Sequence, residues 1–322
     1  MKKGKQSNES LTLLQVYDQE NEKFGMRVGI DRAESSYARL LQGRRYVEHF
    51  LRDQYGMDDI KLSGLQPFFI HDFSSWLCTM KHLRSGTVWL TCQQLKGVVT
   101  RAYHQGMLTA NPFYQFRIAK NIRPREYLTE QELRIVLNYK FTDSRLAFTR
   151  DLFVFAAFTG LAYIDMKELT ASQLVFINGE YWIVSRRHKT RVPFQVKLLN
   201  IPLSIMQRHA QDHYRTLFNM PSYRTLANQV KQVMARCGIN KNITLHCARH
   251  TFAVMALNQG MPIESVSQIL GHSNITTTQI YAKITWQKLD GDLTILSKKL
   301  DEKFVTMIEN EEKKALGNQK TF

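Results

Sequence analysis

The sequence predicts a mainly α protein in two parts, a small all-helical domain followed by an α+β domain with one small antiparallel sheet. Three observations carry this. Apolar residues recur at three-and-four spacing through the first third, with no segment alternating like a strand for long. Residues 174 to 184 then switch to strand character around an Asn-Gly-Glu turn. Beyond Ser204 the helical spacing returns and runs to the end. A chain of 322 residues has room for two ordinary domains, and 43% hydrophobic residues are enough to fill their cores.

Taken in order, residues 1–24 are polar and mixed in charge and read as a flexible arm. From Ser35, the stripe Tyr37, Leu40, Leu41, Val47, Phe50 and Leu51 predicts an amphipathic helix. Pro67 to Met80 repeats the pattern through Phe69, Ile70, Phe73, Trp76, Leu77 and Met80, and Thr87 to Gln105 forms a third helix stopped by Gly106. Residues 25–116 make the helical domain, and 117–124, with Arg117, Lys120 and Arg123 before a proline, make a basic linker. The second domain spans 125–292. Thr129 and Glu132 form a capping box in LTEQEL. A helix runs from about Arg145 to Phe158 and stops at Gly160, with Leu152 to Ile164 as a buried apolar run. The strands VFI and YWIVS flank the turn at 178–180, and RRHKTRVPFQVKLL continues as a second hairpin. Residues 293–322 are a C-terminal helix and tail, with Leu293, Leu296, Leu300, Phe304 and Ile308 as an apolar stripe.

The 44 Lys+Arg against 28 Asp+Glu give a formal net charge of +16. Residues 1–123 hold 18 against 11 and the remainder 26 against 17, so both parts are basic. A surface this basic attracts polyanions, with nucleic acid first and an anionic membrane second. The start, MKKGKQSNES, lacks the apolar stretch of an export signal, and no run approaches the ~20 residues that span a bilayer, so a cytoplasmic protein without a membrane partner is expected. Cys78, Cys92, Cys237 and Cys247 form no C-x-x-C pair, which argues against a zinc ribbon, an iron–sulfur cluster or a disulfide framework.

Four stretches of the second domain bear chemistry: TGLAYIDMKEL, SRRHKTRV, LHCARHTFA and ILGHSNITTTQIYAKI. His246 and Arg249 are three apart and share a helix face, where an imidazole and a planar guanidinium suit one anion with several acceptor oxygens. The apolar TFAVMAL that follows would bury the rest of that helix. His272 follows a glycine helix stop at Gly271, and Tyr281 lies nine residues on. A phenol with a pKa of ~10 becomes a useful nucleophile only beside a proton acceptor and cations. Lys189 sits near the turn of the basic hairpin, either as a solvated tip or as a phosphate-facing finger. His246/His250 and His209/His213 have the i, i+4 spacing of zinc ligands, yet neither pair carries the Glu of H-E-x-x-H and no third ligand is evident, so no metal is expected.

Together, H-x-x-R, G-H about two dozen residues on and Y nine residues later resemble the signature of the tyrosine recombinase (phage integrase) family. Within that family the chain resembles integrases of Bacteroides-type mobile elements. The TGL…D…EL helix and the lysine hairpin stand in that family's order. The resemblance implies a SAM-like core-binding domain over the first part and a tyrosine-recombinase catalytic domain over the second. It implies site-specific DNA cutting and rejoining for a mobile element. Tyr281 would form a 3′-phosphotyrosine, Arg249, His246 and His272 would bind the phosphate, and Lys189 would be general acid. Energy kept in the covalent link means that no cofactor is needed. Expected partners are double-stranded DNA, a homo-tetramer assembled on it, and accessory DNA-bending proteins; the chain would be nucleoid-associated when bound. DNA contacts are expected from Arg44, Arg45, Arg117, Lys120, Arg123, Arg186, Arg187 and Arg191.

One position departs from the pattern. The family places its first catalytic arginine directly after TGL, and here that residue is Ala162. Asp165, at the family's acidic position, is kept. Arg150 is the nearest upstream arginine and the first candidate substitute, with Arg145 and Arg187 as the others. In a straight helix Arg150 would lie ~18 Å back along the axis, so its use needs a bend or a different packing. A catalytically silent DNA-binding protein of the same fold is the alternative that Ala162 favours, and a relaxing topoisomerase is a further one.

Overall fold

A computed structural model describes residues 11–119, 126–188, 190–209, 216–281 and 289–304. The chain divides into two units, Met1–Pro124 and Arg125–Phe322.

The first unit is built of α1 (Leu13–Gly25), α2 (Glu34–Phe50), α3 (Phe69–Thr79) and α4 (Ser85–His104). The stripe predicted on α2 buries its second half, Val47, Phe50 and Leu51. Phe50 is the hub of an aromatic cluster with Tyr55, Phe69, Phe73 and Trp76, all at ring-centroid distances of 5.2–5.6 Å. Such pairs add to the area that large rings bury. The reading of residues 1–24 as a flexible arm fails from Leu13 onward. Leu13, Leu14, Val16 and Tyr17 are buried in this core, on a helix whose exposed side carries the polar residues that gave the segment its mixed composition. Gln15 Oε1 accepts from the Thr12 N–H at 3.2 Å at its start.

The second unit centres on α6 (Ser144–Thr159), preceded by α5 (Glu130–Asn138) and followed by the short α7 (Tyr163–Lys167). The capping box of α5 forms as predicted: Glu132 N–H donates to Thr129 Oγ1 at 3.2 Å, and Thr129 N–H to Glu132 Oε2 at 2.7 Å. Leu152 to Ala157 are fully buried, so α6 is apolar all round, as a central helix must be. The sheet has the order β1-β2-β3, from β1 (Leu174–Ile177), β2 (Glu180–Arg186) and β3 (Pro193–Lys197), antiparallel throughout. Its first turn is the two residues Asn178 and Gly179, both at positive φ, and Glu180 already pairs with Ile177. α8 (Asn200–His209), α9 (Tyr223–Arg236), α10 (Leu245–Asn258), α11 (Ile263–Leu270) and α12 (Thr276–Gln279) complete the unit, and α10 packs along α6. Residues 289–304 are helical. No helix among the described residues is long and apolar enough to cross a membrane.

Candidate active site

Helix α10 enters the site with its N-terminal turn. Leu245, Cys247, Ala248 and Phe252 face the core, which leaves His246 exposed at the start and sets Arg249 one turn deeper, 7% exposed. Arg249 does not extend into solvent. Its Nη1 donates to the Gly160 carbonyl at 2.7 Å and its Nη2 to the Leu270 carbonyl. Gly160 ends α6 in the left-handed conformation, where a Cβ would lie 2.8 Å from Phe252 and 2.9 Å from Leu270. Glycine there lets the end of α6 approach α10 and α11 closely.

The second guanidinium of the site comes from the hairpin. Arg187 is 4% exposed. Its Nη1 donates to Asp165 Oδ2 at 2.7 Å and its Nη2 to the Ile269 carbonyl at 2.5 Å, while the Phe194 ring centroid lies 3.9 Å from its Cζ. Asp165 Oδ1 also accepts the His188 N–H at 3.0 Å, so α7 holds the root of the hairpin through one carboxylate. Gly271, left-handed at φ 59°, passes so close that a Cβ would lie 2.6 Å from Arg187 Cγ. Arg187 was expected on the DNA-contacting surface of the hairpin. It is instead buried within the site, because β2 alternates: Ile183 faces in, Val184 out, Arg186 out and Arg187 in.

His272 follows Gly271. Its Nδ1 lies 2.8 Å from Thr278 Oγ1, and Thr278 is fully buried. Burial first, and then the charges of Arg249, Arg187 and His246, push the His272 imidazole down to about 4, so it is neutral at pH 7. Burial first, and then the Arg187 charge, lower the Arg249 guanidinium to about 9, with Tyr281 and Asp165 acting the other way. Those mutual effects put Arg187, Arg249, His246 and His272 in one electrostatic neighbourhood that Tyr281 shares. The Tyr281 ring packs against the small apolar cluster of Phe252, Ala253, Leu257, Val266 and Leu270. Its centroid is 5.0 Å from that of His250, which lies 4.6 Å from that of His246. Two buried arginines side by side raise the local positive potential, and an anion at their exposed edge would relieve it.

Arg150 is not part of this group. Its Nη1 donates to the carbonyls of Leu137 and Tyr139, at 3.0 and 2.8 Å, and its Nε to Asp151 at 2.6 Å. It holds the C-terminal end of α5 and a buried carboxylate that Arg208 and His209 also engage, so it cannot replace the missing arginine from there. Arg145 is exposed and pairs with Asp143. Lys189, Lys120 and Arg123 lie outside the described residues. Of the remaining residues expected to contact DNA, Arg45, Arg117, Arg186 and Arg191 are exposed, whereas Arg44 is engaged by Asp18 and Glu48 of its own unit. His188 Nδ1 meets Glu168 Oε2 at 2.7 Å beside the hairpin turn. Sequence reasoning missed Thr278. Its place three residues before Tyr281 in a helical turn was the available signal.

A mostly helical frame with a small antiparallel sheet, preceded by a helical domain, is the architecture of the tyrosine recombinases. Residues 126–288 match the phage integrase family and residues 12–118 the phage integrase SAM-like domain, and the chain belongs to this family. It is 26% identical over 232 residues to the tyrosine recombinase XerC of Lactobacillus leichmannii, covering 67% of this chain and 78% of that one. It is 24% identical over 288 residues to the tyrosine recombinase XerD of Oceanobacillus iheyensis, covering 75% and 93%. Among solved structures it is similar to the Tn1549 transposon integrase in complex with a circular intermediate DNA, with a TM-score of 0.71 at 19% identity over 88% of this chain and 99% of that one. It is also similar to a lambda integrase dimer bound to a COC′ core site, with a TM-score of 0.68 at 17% identity over 85% and 78%.

Proposed function

We propose that this protein cuts and rejoins duplex DNA at specific sites, as the recombinase of a mobile element, with Tyr281 as nucleophile. The phenolic oxygen forms a bond to the scissile phosphorus and the bond to the 5′-oxygen breaks. The phenolic proton passes to His246, and the departing 5′-oxygen takes a proton from Lys189. Arg249, Arg187 and His272 bear on the non-bridging oxygens. In phosphoryl transfer most of the catalysis is positioning and charge stabilisation of this kind. The observation that carries the reading is Arg187. It is a second buried guanidinium beside Arg249, which supports it as the source of the charge that Ala162 lacks.

Duplex DNA as the substrate agrees with the basic charge of both parts and with the DNA complexes of the Tn1549 and lambda integrases. Assembly of several copies on DNA fits residues 289–304, where Leu293, Leu296, Leu300 and Phe304 are 43–54% exposed along one stripe, as an element that docks on a neighbouring copy would be. Ala162 also favours a second reading, a DNA-binding protein without catalysis. One experiment separates the two. The chain is incubated with a nicked suicide duplex carrying the recombining ends mapped beside its gene, and denaturing gels are read for a covalent protein–DNA adduct. The adduct is expected with the wild-type chain and absent in Tyr281→Phe, which loses one hydroxyl and keeps the packed ring, with DNA affinity unchanged. A wild-type chain that binds these ends and forms no adduct refutes the recombinase reading.

A further inference from the structure

The contact between His272 and Thr278 carries a consequence for the proton on the imidazole. His272 lies just past the end of α11 and Thr278 in the short turn that leads to Tyr281. Thr278 is completely buried, and His272 Nδ1 is the hydrogen-bond partner of its hydroxyl, at 2.8 Å. Among the described residues His272 Nε2 takes no hydrogen bond, and the imidazole is only partly covered. A neutral imidazole has one donor and one acceptor nitrogen, and a hydroxyl can meet either. The two arrangements differ at Nε2, which is a donor in one and a lone pair in the other. Non-bridging phosphate oxygens only accept.

We infer that Thr278 is a positioning residue: its Oγ1–H donates to His272 Nδ1, fixing the proton on Nε2 and aiming that N–H at the scissile phosphate. This rests on the recombinase reading for the phosphate and on the geometry alone for the tautomer. The hydrogen bond at one ring nitrogen sets the state of the other. Burial and the cations beside His272 keep the ring neutral, and a hydroxyl donating to Nδ1 holds it in the Nε2–H form and fixes its orientation. Thr278 also links the two groups in space, because its own backbone carbonyl accepts the Tyr281 N–H at 3.0 Å. One buried residue thereby orients a phosphate donor through its side chain and the nucleophile's backbone through its main chain.

The test uses the full-length chain. In ring-¹⁵N-labelled histidine spectra at pH 7, with the His272 signals assigned by their loss in His272→Gln, the neutral Nε2–H form is expected in the wild type. Thr278→Val, which keeps the shape and removes the hydroxyl, should shift the Nδ1 signal to that of a nitrogen without a hydrogen bond and cleave the suicide duplex on the order of 10–100-fold more slowly, by analogy with loss of a group that orients a metal-bound histidine. DNA affinity should change little, since only one neutral donor among many phosphate contacts is disturbed. Thr278→Ser, which restores the hydroxyl and lacks the methyl, should cleave near the wild-type rate. An Nδ1–H form or an imidazolium in the wild type overturns the inference. So does a Val variant that cleaves like the wild type, or Ser and Val variants impaired equally, which would make the methyl's packing the cause. If the wild-type chain forms no adduct at all, the recombinase reading falls, and the spectra still decide the tautomer because they need no DNA.

Discussion

Replacing Arg187 is the sharpest way to challenge the active-site assignment, because two effects of known size must be pulled apart. Arg187 and Asp165 are both 5% exposed at their side chains and joined at 2.7 Å. Arg187→Gln leaves the carboxylate buried with the His188 N–H and no cation. Breaking a buried pair by removing one partner costs about 3–5 kcal/mol. In a domain of this size that is a fall in Tm of roughly 6–20 °C. Loss of a preorganised donor at the phosphate costs a further factor of roughly 10²–10³ in the cleavage step. The double variant Arg187→Gln/Asp165→Asn separates them. It removes the orphaned charge and should recover most of the Tm, yet cleavage should remain at the level of the single variant. Single-turnover adduct formation on the suicide duplex, beside thermal unfolding of each protein, reads both quantities. Adding Ala162→Arg to the double variant returns a guanidinium after TGL and should restore part of the rate. A double variant that is stable and cleaves within about threefold of the wild type would refute the assignment, since a factor of 10² is the least that a missing donor of this kind should cost.

Gly271→Ala should lower both stability and cleavage. The left-handed backbone costs about 1–3 kcal/mol for a residue with a side chain, and the new Cβ would lie 2.6 Å from Arg187 Cγ, so the guanidinium must shift; unfolding curves and adduct rates measure the two effects. Acid should destabilise the fold through His272. Its folded pKa of about 4 lies below the ordinary value of 6.5, so between these the unfolded chain takes up a proton that the folded one refuses, and stability falls as pH drops through that window. Denaturant unfolding at pH 7 and 4.5 should show a smaller loss in His272→Gln than in the wild type. Deleting the chain from Leu293 onward should leave binding to a single half-site intact and abolish cooperative filling of paired sites and recombination, read by gel shift and by strand-exchange assay. Cooperative filling by the truncated chain would remove any role of that helix between subunits.

The fold was legible wherever spacing and caps spoke together. The Thr129–Glu132 box, the Gly160 stop and the Asn-Gly hairpin each appear where local chemistry puts them. Residues 13–25 were misjudged because composition outweighed periodicity: Leu13, Leu14, Val16 and Tyr17 already form a helical stripe, beside polar residues that solvent receives. Arg249, His246, His272 and Tyr281, which the structure brings into one neighbourhood, were legible as a set through the resemblance of their combined spacing to the family's signature. Arg187 was named only as a further candidate for the missing charge, because distance along the chain favoured Arg150 and said nothing of where α6 points that side chain. Strand alternation held the better clue. Ile183 and Arg187 share one face of β2, and Arg186 stands on the other.

The grouping Leu-Gly-His has a physical reason in this site that motif matching does not supply. The last carbonyls of a helix have no partner within it, and its C-terminal end carries partial negative charge. In α11 those carbonyls are Ile269, which accepts from Arg187, and Leu270, which accepts from Arg249. One helix end therefore holds two buried guanidiniums side by side, offsetting part of their repulsion. The chain must then turn away at once, through a residue that tolerates φ 59° and leaves space for the Arg187 stem, and only glycine does both. The next residue, His272, emerges beside the two cations that keep its ring neutral. Ala162 fits the same account. The family's arginine position opens α7, whose Asp165 carboxylate here receives Arg187 from the hairpin. On the proposed reading the cation comes from the hairpin, where Arg187 is held between the α11 end and the α7 carboxylate.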